Sequence, residues 1–160
     1  MLRLYTVSFF GHRIIEDFNR AEAKAEALIH DLILQKEYVE FLVGRGGDFD
    51  QIVSSAVKRL QRRIRADNSS LVWLLPYPTA ELRNHEESFQ AYYDEIEICD
   101  AAENSYPKRA YQIRNRQMVD RSDLVVFYVE HDSGGAYQTM RYAQERRKQI
   151  VNLAEQPSEE

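Results

Sequence analysis

Three glycine-bearing stretches stand directly behind short apolar runs: "GHR" at 11–13, "GRGGDFD" at 44–50 and "DSGGAYQT" at 132–139. Glycine lets a ligand come close to the main chain. A helix starting just beyond such a turn offers unpaired N–H groups and a partial positive charge. The chemistry implied is the gripping of a phosphate. A single turn of this kind needs no ligand, because tight strand-to-helix turns use glycine for geometry. Three on the same edge of one sheet point to a shared site. Neither "GxGxxG" nor "GxxxxGK[ST]" occurs, which sets aside the usual dinucleotide fingerprint and the P-loop.

The candidate phosphate grip is Gly134, Gly135 and Thr139, helped by Ser133. Gly11, Gly46 and Gly47 are the candidates for close backbone approach. Arg114 carries a planar fork suited to phosphate or carboxylate and is followed by Asn115. His12, Arg13 and Tyr137 sit at strand ends or on the first helical turn, where ligand contacts are expected. Asp48 and Asp132 are candidates for ribose or base contacts and, with Arg114, for catalysis. Asp50 reads instead as the cap of a helix, and His30 and His85 as ordinary helix residues.

These residues need a scaffold that brings strand ends together. Residues 4–10, 38–43, 71–75, 124–129 and 149–153 are short, apolar and rich in β-branched or aromatic side chains, and read as strands. Helical spacing follows Asn19, a predicted N-cap, as far as Leu34. It recurs after Asp50, where Ile52, Ala56, Leu60 and Ile64 share a face, and over 108–121 and 135–148. Residues 79–108 read as one or two helices and a loop, expected to lie beside the strand ends and help close the pocket. Alternating strands and helices predict an α/β fold: a single Rossmann-like three-layer domain over 1–154 with a mainly parallel sheet of about five strands. Its ligand site should lie beyond the carboxyl ends of the strands, at a switch in strand order involving the first strand and 124–129. Residues 155–160 read as a frayed acidic tail.

The chain has 160 residues and a formal net charge of -5, so no overall field draws it to nucleic acid or to an anionic membrane. Its basic stretches, 58–65 and 146–148, lack interleaved aromatics and read as solvated faces. One cysteine and four scattered histidines give neither a disulfide nor a metal site, so no metal is expected. No signal peptide is expected, and no apolar run approaches the ~20 residues that span a bilayer. The expected setting is the cytoplasm. A homo-oligomer is compatible with this composition.

Four pieces in order, "FFGHR", "GRGGDFD", "RNRQMVDRSDLVVFYV" and "SGGAYQTMRYA", resemble the SLOG superfamily of Rossmann-like domains. That group includes the LOG nucleotide hydrolases, the DprA/Smf proteins and the YpsA-like family, and the chain looks most like the last. The resemblance implies binding of a nucleotide or nucleotide-derived ligand across the strand ends, as a sensor or accessory protein. It also raises two alternatives, a LOG-like hydrolase of the nucleotide N-glycosidic bond and a single-stranded DNA-binding accessory. The LOG pattern has an arginine before the fourth strand, matched by Arg114, and a "PGGxGTxxE" turn, matched loosely by Gly134, Gly135 and Thr139. Ser133 replaces its proline, Gln138 its second-block glycine, and Arg141 or Tyr142 its glutamate. Glycosidic cleavage develops positive charge on the sugar and needs a carboxylate, so this departure argues for binding without LOG-type catalysis.

Overall fold

The computed structural model describes residues 3–102 and 104–155. In chain order the elements are β1 (Leu4–Gly11), α1 (Phe18–Gln35), β2 (Tyr38–Val43), α2 (Asp48–Arg63), β3 (Ser69–Leu75), α3 (Ala80–Asn84), α4 (Glu86–Tyr92), β4 (Glu95–Ile98), α5 (Pro107–Arg121), β5 (Leu124–Tyr128), α6 (Gly135–Glu145) and β6 (Gln149–Asn152). The six strands form one sheet in the order β4-β3-β2-β1-β5-β6. Every neighbouring pair is parallel. The chain steps outward from β1 to β4, then returns to place β5 against the free side of β1, which makes β1/β5 the switch point.

Strand side chains alternate between two cores. Val7, Phe9, Phe41, Leu71, Trp73 and Val126 face α1 and α2. Phe10, Leu42, Val72, Leu74, Val125 and Phe127 face α5 and α6. Both faces of the sheet are covered, which is why these strands read as continuous apolar runs. Parallel strands joined by helices bring all the strand-to-helix turns to one edge.

The structure departs from the sequence reading in four places. The sheet has six strands where about five were expected, because Glu95–Ile98 forms an edge strand on β3. Its "EIEI" is four residues long and lies in a charged, helix-like stretch, so it gives no apolar run. Asp17, not Asn19, caps α1, its carboxylate accepting from Arg20 N at 3.1 Å. α2 starts at Asp48 behind Gly47, so Asp50 lies inside its first turn. α5 starts at Pro107, whose missing N–H costs nothing at a first helical position. No helix among the described residues is long and apolar enough to cross a membrane. Of the expected acidic tail, residues 156–160 lie outside the described residues.

Candidate functional site

The turn between β5 and α6 ends on Gly134, whose φ of 92° favours glycine, and the helix then opens at Gly135. Gln138 N is the first amide to find a helical acceptor, Gly134 O at 3.1 Å. The N–H groups of Gly135, Ala136 and Tyr137 have no acceptor among the described residues, and no acidic residue occupies this first turn. A Cβ built on Gly134 or Gly135 would meet nothing within 4 Å. This is an open, donor-rich helix end.

The turn between β2 and α2 is packed tightly. Asp50 reaches back to accept from Gly47 N at 3.2 Å, with the Gly44 and Gly46 amides also turned toward its carboxylate. Burial pushes its carboxyl above the usual carboxylate range, opposed by the Arg114 charge and by those amides. Arg114 comes from α5 on the other side of Gly44. A Cβ on Gly44 would lie 3.2 Å from Arg114 Nη1 and 3.3 Å from Asp50 Oδ2, so any side chain there would press on both groups. Arg114 also donates to Leu74 O at 3.1 Å and to Asn115 Oδ1 at 2.7 and 3.1 Å, and lies 5.0 Å from the Tyr111 ring centre. The guanidinium is held in place before any ligand arrives.

At the end of β1, His12 works on the backbone. Its Nε2 accepts from Glu130 N at 2.8 Å and His131 N at 3.4 Å, which tethers the start of the β5–α6 turn. Its ring stacks on His131 at 3.7 Å and 10°. Burial, then the neighbouring His131, lower its pKa, while Glu130 raises it. Accepting at Nε2 requires the neutral ring with its proton on Nδ1.

Above these turns lies a cavity of about 750 Å³. Of the residues expected at the site, Gly11, His12, Arg13, Gly46, Gly47, Arg114, Ser133, Gly134 and Gly135 line it. Asn115 and Thr139 line instead an adjoining cavity of about 410 Å³. Thr139 is buried: its hydroxyl donates to Gly135 O at 2.8 Å and accepts from Asn115 Nδ2 at 3.2 Å, so it fixes the helix end and is turned away from the main cavity. Asp48, Asp132 and Tyr137 line neither cavity. Asp48 accepts from Ile15 N at 2.9 Å and braces the β1 turn. Tyr137 Oη accepts from Arg141 at 3.1 Å.

The sequence reading did not single out Arg45, Thr79, Glu81, Tyr111 or the role of Asp50, all of which line the main cavity. Arg45 and Thr79 follow the ends of β2 and β3, so the rule of looking past strand ends applies to them as well as to the glycines. Arg45 donates to Glu81 at 3.0 Å and Tyr93 Oη at 3.2 Å, with its guanidinium 4.5 Å from the Phe89 ring centre. The main cavity thus joins three arginines and a free helix end to an aromatic wall. The acidic trio Glu40, Glu95 and Glu97 lies toward the other edge of the sheet, and Arg121 pairs with two of its members at 2.7 and 2.6 Å.

No family model and no curated protein matches the chain. Among solved structures, DNA processing protein A (DprA) from Streptococcus pneumoniae aligns with a TM-score of 0.66 and 15% identity over 92% of this chain. The chain spans about half, 49%, of that DprA chain. Moco Carrier Protein from Chlamydomonas reinhardtii aligns with a TM-score of 0.58 and 14% identity, covering 97% of this chain and 79% of the other. This likeness is one of fold: the chain shares with both a three-layer, Rossmann-like α/β architecture.

Proposed function

We propose that residues 1–154 form one binding unit for a nucleotide or nucleotide-derived ligand, acting as a sensor or accessory protein, with the YpsA-like branch as its nearest kin by motif. The observation that carries this reading is the convergence, in one cavity at the β1/β5 switch, of the unpaired α6 amides, Gly134–Gly135 and the restrained Arg114. Phosphate sits at the α6 N-terminus, where backbone N–H groups and the helix dipole favour an anion. The nucleoside lies across the sheet edge toward Tyr111, Arg45 and Thr79. The names of the two structural neighbours, one a DNA-processing protein and one a Moco carrier, fit a ligand-handling role in general terms.

The test is a thermal-shift panel of nucleotides. A ligand present well above its Kd raises Tm because it binds only the folded state. The wild type should be stabilised by at least one mononucleotide and should release no free base from it over hours.

One observation favours a second reading. Asp50 lines the cavity with a carboxyl shifted toward the protonated form, as a general acid for glycosidic cleavage would be. Base release by the wild type that is lost in Asp50→Asn would establish a hydrolase with a relocated acid. The single-stranded DNA reading predicts binding that falls steeply with salt, and a salt titration with an oligonucleotide decides it.

A further inference from the structure

The adjoining cavity of about 410 Å³ shares Arg13, Tyr111, Gly134 and Gly135 with the main one. The two are therefore one continuous groove that passes over the α6 N-terminus. Their linings differ in charge. The main cavity includes Asp50 and Glu81 among its walls, whereas the adjoining one has no Asp or Glu and adds Lys108 and Arg116 to the shared Arg13. Arg116 stands 5.0 Å from the ring centre of Tyr142, which is itself anchored to Asp120 at 2.8 and 2.9 Å. Neither Lys108 nor Arg13 has an intramolecular ion-pair partner among the described residues.

Resting on the reading above, we infer that the adjoining cavity is a second anion subsite, and that the ligand is a nucleotide carrying a further phosphate beyond the first. The first phosphate sits at Gly134–Gly135 and the next one turns past Arg13 into the space between the first turns of α5 and α6. Three cations without an ion-pair partner among the described residues, gathered on one concave surface, are stabilised by a dianionic group more than by a monoanion. The lining also sets a limit. At its far wall, Tyr142 hands over to the carboxylate of Asp120, so a polynucleotide continuing in that direction would run its backbone against a negative charge. The groove fits a compact diphosphate, not a strand.

The experiment compares each of the four nucleoside monophosphates with its diphosphate by titration calorimetry on the intact chain. Wild type is expected to prefer the diphosphate of the recognised base by about tenfold or more, the scale of one added charge-assisted contact. Lys108→Ala/Arg116→Ala should erase that preference and leave the monophosphate affinity unchanged. Equal affinity for mono- and diphosphate in the wild type, with binding still lost in Gly135→Asp, overturns the second subsite and leaves the nucleotide reading standing. Binding of no mononucleotide in either form overturns both. A twelve-nucleotide dT strand that binds more tightly than any diphosphate, and is released by the same double substitution, assigns the cavity to a polynucleotide and overturns the proposal. Circular dichroism of the double variant at matched temperature keeps a folding defect apart from a lost subsite.

Discussion

The turn after β1 opens on Gly11 and the turn after β5 leads into Gly135 at the start of α6, and the two glycines are there for opposite reasons. A Cβ on Gly11 would lie 2.5 Å from Phe49 Cβ and Cγ, and Phe49 is fixed between Phe9 and Tyr128 in the core. Gly11 exists so that α2 can press against β1. Gly135 would meet nothing, and the space in front of it is the groove. One glycine is emptied by packing from within the protein, the other leaves room for something outside it. Motif matching treats the two alike. The comparison teaches that a glycine turn reports a ligand only where no side chain of the protein already fills the space.

The sharpest way to break this comparison is Gly135→Asp. It places a carboxylate at the proposed phosphate position, and its Cβ enters open space. Nucleotide-induced stabilisation should vanish, a loss of about 100-fold or more in affinity. Stability in urea should stay within about 0.5 kcal/mol of wild type, since an acid on the first helical turn suits the dipole. Retained binding would mean that the site is at another turn. Arg114→Ala should weaken nucleotide binding by about 1–3 kcal/mol in a calorimetric titration, the range for a lost charge-assisted contact.

Gly11→Ala is the reverse case. Overpacking against Phe49 should lower stability by about 1–3 kcal/mol in urea denaturation, with nucleotide affinity per folded molecule unchanged. Equal damage to binding would show that Gly11 touches the ligand. A smaller effect is expected from His12. Its folded-state pKa lies below the ordinary value near 6.5, so as pH falls the unfolded chain takes up the proton first. The contribution is full above about pH 6.5 and declines as pH drops toward the folded pKa. Urea curves at two pH values on either side should show this loss in wild type, and His12→Gln should reduce it. Smallest of all, Gly46→Ala should leave stability within about 0.5 kcal/mol, because its Cβ enters open space without a positive φ. Any loss of nucleotide affinity in that variant measures how near the ligand comes to this turn.

Much of the architecture follows from sequence pattern alone. Five strands were legible because both faces of the sheet are covered, which makes "LVWLL" and "LVVFY" apolar end to end. Alternation with helices then fixed the parallel sense and the functional edge. β4 was not legible, since an edge strand of "EIEI" owes its conformation to hydrogen bonds with β3 and carries no signal of its own. The site divided in the same way. Strand-end position singled out the glycines, because that rule depends only on element order, whereas Arg114 was singled out by its planar fork and by the resemblance to the LOG pattern. The roles of Asp48, Thr139 and Tyr137 depended on hydrogen-bond partners far away in sequence or one helical turn away, and none of the three lines the main cavity. Asp50 was legible as a helix-start acid, yet its position beside Arg114 was decided by α5 packing across Gly44. Local pattern determined which turns could face a ligand. Only tertiary packing decided which of those turns were already full.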